Sequence, residues 1–453
     1  MEAQVSALRR RRQTAIAVVA ASAAMIGATA CGSSNNGPST SKQAAATTTG
    51  AATTTGAAAT SGNTTAGSAV TNFLQYTGGS NGPADSSKAK VYIGWVNQQG
   101  GPADISDSAT TAAQVAVKYI NSALGGVDGH PVQLVTCYTS TSEAQGQACG
   151  QQLLNDKRVN AIAMGAVSIG APSFMATIHA AKPMVYSVAT GPTDASNRNG
   201  YMLFGDLLRI LPPFGTFAKD VLHANTAAVI YPNSPGVPFA AQALINGYKA
   251  AGIKYKQVSF AADATDLLGP LTAAGAQTAD VVTPVVLTPQ CANTAKAIQQ
   301  ADVKAAVLTT PLCLNANVAK ALGDLPQWYY SIASSLASDT SDPASRAIGA
   351  VVAKYGHVQD LSDPFYGITV SEILTMVKWM NAIGFDKLSP NSIAAEAKAF
   401  KGPLAFGPPT LDCGKYPHAP AVCNDQQKFF KYEGKGVFKP VSGWLGPPPG
   451  FTS

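Results

Sequence analysis

The 453-residue chain is 46% hydrophobic and 12% charged, with a formal net charge of +6. That is enough for two domains and a sizeable core. Residues 1–30 hold four Arg and one Glu and so carry half of that net charge; the rest is near balance, and basicity gives no argument for a nucleic-acid partner. At the N-terminus, Arg9–Arg12 precede an apolar run, Ala15–Ala30. Together they read as an export signal over residues 1–30, the run being short for a membrane span.

The run ends Ala28-Thr29-Ala30-Cys31-Gly32. Small residues before a cysteine resemble a bacterial lipobox, which implies cleavage before Cys31 and a lipid anchor on its sulfur. Ala28 departs from the aliphatic residue usual there, so plain signal cleavage stays open. Residues 31–87 read as a tether of Ser, Thr, Gly and Ala. Between Gly32 and Ala84 the only charge is Lys42. Such a composition cannot bury enough apolar surface to order itself, and about 55 residues of it span roughly 40 Å.

A folded body is expected from Lys88. Lys90–Val96 reads as a strand, and Ala112, Val115, Ala116, Tyr119, Ile120 and Ala123 give a helix one apolar stripe. Gly125-Gly126 ends that helix, and Pro131–Cys137 reads as a strand buried on both faces. Strand, helix, strand with one short turn is a parallel βαβ unit. Ser140–Glu143 has a capping-box pattern for the helix through Leu154. Val159–Met164 is the next strand, Gly170–Ala180 a helix and Met184–Val188 a strand. From Thr226 the plan repeats, with strands at Ala227–Tyr231, Lys256–Phe260, Asp280–Val286 and Ala305–Thr309. Trp328–Ala333 is a short aromatic strand. Helices follow at Ala344–Tyr355, Phe365–Ile383 and Ser389–Phe400, then a hairpin at Lys428–Val441 and a loose tail over 444–453. The fold class is α/β, with two doubly wound parallel-sheet lobes.

Apart from Cys31, the cysteines fall into sequence-near pairs: Cys137 with Cys149, Cys291 with Cys313, Cys413 with Cys423. Six cysteines allow many connectivities, so this pairing stands beside six buried free thiols. An oxidising, exported location suits disulfides. No C-x-x-C, Cys/His metal pattern, P-loop or G-x-G-x-x-G appears, so no cofactor or metal is expected. A secreted α/β hydrolase would need a G-x-S-x-G elbow, and Gly165-Ala-Val-Ser168-Ile-Gly170 has one residue too many.

Val91–Trp95, Ala116–Asn121 with Gly125–Gly129, Ala161–Gly165 with Ser168, Lys182–Thr190 and Phe365–Gly367 occur in an order that resembles the type I periplasmic-binding-protein family, in its leucine/isoleucine/valine-binding branch. The resemblance covers some 350 residues, from about Lys88 to Gly443. It implies two lobes closing on a small ligand, in a monomeric capture subunit that docks on the permease of an ABC importer. The lobes would be 88–205 plus 334–424 and 206–333 plus 425–443, joined by a three-segment hinge near Gly205, Ala333 and Asn424. A ligand-sensing lipoprotein acting on a signalling receptor is the alternative. Where motifs match, the resemblance implies ligand contacts from Asn97 and Gln98, taken as the loop after the first strand, and from Ser168, Val188, Ala189 and Thr190. Ser168 with its neighbouring N–H groups would hold a carboxylate at a helix N-terminus, or serve as a plain N-cap. In the second half Tyr231, Thr310 and Tyr366 are the candidates, with Trp328 and Tyr330 as further aromatic lining. The acidic residue that amino-acid binders place after the strand ending at Thr309 is missing: the chain reads Thr309-Thr-Pro-Leu-Cys313. An amino acid's ammonium would lack its partner there, and an unpaired buried charge is costly.

Overall fold

The computed structural model describes residues 69–451 except 101–106, 187–191, 235, 359–360 and 362. The signal segment, Cys31, most of the tether, and Val188, Ala189 and Thr190 lie outside the described residues. Chain order begins α1 (Phe73–Thr77), β1 (Val91–Gln98), α2 (Asp107–Ala123), β2 (Val132–Thr139), α3 (Glu143–Asn155), β3 (Val159–Met164), α4 (Ala171–Ile178), β4 (Met184–Tyr186), α5 (Pro192–Ala195) and β5 (Gly200–Met202). Next come α6 (Leu207–Ile210), α7 (Pro213–Thr216), β6 (Thr226–Pro232), α8 (Val237–Ala250), β7 (Lys254–Phe260), α9 (Leu268–Ala274), β8 (Val281–Pro284), α10 (Thr288–Gln300), β9 (Ala306–Thr309), α11 (Ala316–Leu322) and β10 (Tyr329–Ile332). Last are α12 (Pro343–Gly356), α13 (Phe365–Ile383), α14 (Pro390–Ala399), β11 (Lys428–Gly434) and β12 (Val437–Pro440).

Two sheets result. One runs β2-β1-β3-β4-β5, all parallel. The other runs β12-β11-β10-β9-β8-β6-β7, parallel from β10 to β7 and closed by the antiparallel hairpin. Each sheet is covered by helices and buries an apolar cluster on either face, as the alternating pattern requires. The α2 stripe is buried as expected, with Ala109, Ala112, Ala116 and Ile120 fully inaccessible against α12 and α13. It ends at Gly125 and Gly126, both at positive φ; a Cβ on Gly126 would fall 2.0 Å from the His130 carbonyl oxygen. β2 departs from expectation. It is an edge strand with Gln133, Thr136 and Tyr138 open to solvent, because β1 pairs with β3 on its other side and leaves β2 a single neighbour. All three cysteine pairings are present as disulfides.

Order begins earlier than the tether reading allowed. Asn72 Oδ1 caps α1 by accepting the Gln75 N–H, and Gly78 at φ 64 ends it. Phe73 and Tyr76 are buried in the core shared by α2 and α13. The Tyr76 and Thr375 hydroxyls are 2.8 Å apart, and Asn381 Nδ2 donates to the Thr77 carbonyl. A composition averaged over 31–87 hides this capped, amphipathic turn. The tail is also held: Leu445 and Gln427 exchange both backbone hydrogen bonds, and Thr216 Oγ1 donates to the Gly446 carbonyl.

The chain passes between the sheets three times. It leaves β5 through Gly205 to α6, returns from β10 through residues 333–342 to α12, and crosses again from Val422, which bridges to Met202, through Asn424 to β11. Asp206 caps α6 and pairs with Arg209 at 2.7 Å, both nearly buried. The Arg209 guanidinium lies over the Tyr416 ring, whose hydroxyl donates to Asp425.

Because α1 belongs to the core, Phe73→Ala is expected to cost about 3–5 kcal/mol, read from urea unfolding. A change near zero would mean that the segment is a tether after all.

Candidate ligand-binding site

In open α/β sheets ligands bind beyond the carboxyl ends of the strands. At that end of the first sheet β1 and β3 lie side by side, so Asn97, Gln98 and Ser168 come together. Asn97 and Gln98 are strand residues rather than loop, 0% and 2% exposed. The reason is pairing on both sides: β1 runs in register with β2 through Gln98 and Thr139. Asn97 Nδ2 donates to Gln99 Oε1 and to Thr110 Oγ1, and Trp95 Nε1 donates to the same hydroxyl at 2.9 Å. Gly165 is needed here, since a Cβ would fall 2.5 Å from Asn97 Oδ1.

Gln98 reaches across to the turn that opens α4. Its Oε1 accepts the N–H of Ser168 at 2.8 Å and of Ile169 at 2.7 Å. Glu143, in the first turn of α3, accepts the N–H of Gly170 at 2.9 Å and of Ser173 at 3.1 Å. Ala171 N–H turns back to the Ser168 carbonyl at 3.4 Å, and Pro172 has no N–H. Every backbone N–H from Ser168 to Ser173 is therefore taken. The arrangement depends on close approach of α3 and α4, where a Cβ on Gly146 would fall 1.9 Å from the Gly170 oxygen. Bonds from Ser173 and Gly170 hold the Glu143 carboxyl below its ordinary range. The expected capping box is thus redistributed. Ser142 is the N-cap of α3, and Gln145 Oε1 accepts the N–H groups of Ser140, Thr141 and Ser142, which frees Glu143 for α4. The Ser168 side chain itself is exposed.

In the second sheet Tyr231 ends β6, half-buried, and Thr310 follows β9. Thr310 Oγ1 is buried with no hydrogen-bond partner among the described residues. The Cys291–Cys313 disulfide ties the segments after β8 and β9, and Thr288 Oγ1 donates to the Leu312 carbonyl. Leu287, Leu312 and Phe239, all in segments that follow strand ends, are among the exposed large apolar side chains. Trp328 and Tyr330 are core residues, the Tyr330 hydroxyl donating to the Pro326 carbonyl. Tyr366 sits half-buried in the first turn of α13 against the first sheet's core. Two shallow surface depressions of about 420 and 460 Å³ lie elsewhere, around Trp328 and Lys431 and around Asp324 and Lys435. The first borders the starts of β9 and β10, not their ends. Among the described residues no acidic, His or Cys cluster could hold a metal, and no helix is long and apolar enough to cross a membrane.

The caps from Gln98 and Glu143 were not legible in the sequence. Seventy residues separate Gln98 from Ser168, and only the adjacency of β1 and β3 joins them. The Glu143 cap likewise needs α3 packed on α4.

Two covered parallel sheets, three passages between them and polar groups gathered at strand ends define a two-lobed binding fold. Residues 90–421 match the family described as periplasmic binding protein, and the chain belongs to that family, with the type I fold. Among solved structures it is similar to a leucine binding protein from Thermotoga maritima, at 16% identity and TM-score 0.61 over 79% of this chain and 99% of that one. A fatty acid ABC transporter substrate-binding protein from Thermomonospora curvata matches at 14% and 0.59, over 81% and 95%. An ABC transporter solute binding protein from R. palustris, in complex with benzoate, matches at 13% and 0.60, over 79% and 97%. None of the curated proteins matches the chain.

The Glu143 cap has a pH signature. A carboxyl depressed on folding stabilises above its unfolded pKa, and that stability is lost as pH falls through the lower folded value. Glu143→Ala is expected to cost about 1 kcal/mol at pH 7 and nothing once pH lies below the folded pKa. Urea midpoints of both proteins across the acid range check this.

Proposed function

We propose that this chain is the extracytoplasmic solute-binding lipoprotein of an ABC importer, capturing a small organic molecule between its two lobes. The observation that carries the reading is the family match over residues 90–421 on a chain whose two sheets are joined by three passages. Cys31 would be the lipidated residue and the segment after it a tether. The first lobe would offer Asn97, Gln98, Ser168, Val188, Ala189, Thr190 and Tyr366; the second would offer Tyr231 and Thr310. Ligand would settle on one lobe, the lobes would rotate about the passages near Gly205, Ala333 and Asn424, and the closed form would dock on the permease subunits. No chemistry is required of the protein. Its closed state must bind ligand more tightly than the open one, since a ligand shifts a conformational equilibrium only by that difference. The similar structures name leucine, fatty acid and benzoate, so the fold alone leaves the ligand class open.

Two outcomes are expected. Screening small organic solutes by thermal shift yields a binder that stabilises the folded chain by about 2.7 kcal/mol at a hundredfold excess over Kd, and small-angle scattering shows the radius of gyration falling with it. If no solute stabilises the chain, the capture reading fails. Expressed in a bacterial host with its signal intact, the protein partitions into detergent, and Cys31→Ser moves it to the aqueous phase. Equal partitioning of both would remove the lipid anchor.

A further inference from the structure

The resemblance puts a ligand carboxylate at the N-terminus of α4, with Ser168 and its neighbours as donors. The chain has filled that place itself. Gln98 Oε1 takes two of the donors and the Glu143 carboxylate two more, on the successive residues Ile169 and Gly170 among others. Gln98 is 2% exposed, so its amide is a fixed part of the wall. An incoming carboxylate would have to displace it and then sit beside the Glu143 charge. Like charges that close repel, and the displaced buried amide would lose two hydrogen bonds.

The strand-end segments of the opposite wall hold no cation for a carboxylate. Residues 233–236, 261–267, 285–287, 310–315 and 333–342, after β6 to β10, contain no Lys, Arg or His; the acids among them are Asp263, Asp266, Asp339 and Asp342. Leu287 and Leu312, in the segments after β8 and β9, are 37% and 47% exposed, and Phe239, in the first turn of α8, is 44% exposed. Apolar side chains left in water at the rim of a cleft gain by covering one another or an apolar ligand.

We propose that Gln98 stands in for a ligand carboxylate, and that the cleft therefore takes an organic molecule that carries no carboxylate. This rests on the solute-capture reading and names the ligand class it requires. Discrimination comes from the site's own amide, because a group that already satisfies the donors rejects a competitor for them.

The test uses the full chain and a solute library sorted into neutral, anionic, cationic and zwitterionic members. It includes matched sets such as benzamide, benzoate and benzylamine, and hexanamide, hexanoate and hexylamine. Thermal shift finds binders and calorimetry measures them. The expected result is that the binders lack a carboxylate, each at least about tenfold tighter than its carboxylate counterpart. Gln98→Ala, which uncovers the Ser168 and Ile169 donors, should bring carboxylate affinity up by about tenfold or more. Gln98→Glu keeps the volume and the acceptor, so it should go on excluding carboxylates; it serves as the folded control if the Ala variant is unstable. A wild-type chain that prefers carboxylates, anionic or zwitterionic, overturns this inference and leaves solute capture standing. A carboxylate that binds Gln98→Glu as well as it binds Gln98→Ala also overturns it. Silence in every class removes the capture reading itself.

Discussion

Two of the three passages between the sheets touch backbone to backbone. A Cβ on Gly205 would lie 2.5 Å from the carbonyl oxygen of Asn424, and Gly205 holds φ 83. A larger residue has neither the space nor the backbone freedom there. Around this contact the charges are paired and nearly dry. Burial raises the Asp206 carboxyl pKa although Arg209 pulls it down, so desolvation wins over attraction. Such a pair adds little net stability, but removing one partner strands the other. Arg209 over Tyr416, and Tyr416 and Lys415 on Asp425, carry the same network into the third passage. The Cys413–Cys423 disulfide and the backbone bonds between Met202 and residues 421 and 423 fix where that passage starts.

The two lobes end their strands differently. In the first lobe a helix N-terminus points toward the strand ends, as the βαβ plan requires, and its partial positive charge would ordinarily attract an anion. Here α3 packs on α4 through facing glycines, Gly146 and Gly170, closely enough for Glu143 to serve the next helix. The field at that end is answered from within the protein. In the second lobe the strand-end segments are braced by the Cys291–Cys313 bond and by Gln290, whose side chain accepts the Leu287 N–H and donates to the Ala262 carbonyl. That brace holds Leu287 and Leu312 out in solvent, where a flexible loop would fold them away.

Most of the architecture was legible because its signals are local. The α2 stripe with its two glycines, the Ser389 cap with Pro390, and the hairpin around Glu433–Gly436 each occupy a short window and were found within a few residues of their bounds. The cysteine pairs were legible for the same reason, being near in sequence. What failed needed neighbours. An edge position for β2 depends on which strand lies on the far side of β1. The single turn of α1 depends on α13 for its burial, and composition averaged over the segment concealed it. The short helices α6 and α7 are held by the core beneath α8 rather than by any periodicity of their own. Gln98 and Ser168 were both named from the sequence as ligand candidates, but it could not say that one would hold the other.

The place where the chain enters the folded body has a mechanical meaning. Phe73 and Tyr76 are set into the core of α2 and α13, and Thr77 and Tyr76 are tied by their carbonyls to Asn381 and Lys378. All of these partners belong to the half built on the β1–β5 sheet. A pull on the chain from before Ala69 is therefore borne by that half alone. The load path does not cross Gly205, residues 333–342 or Asn424, and the β6–β12 half lies outside it.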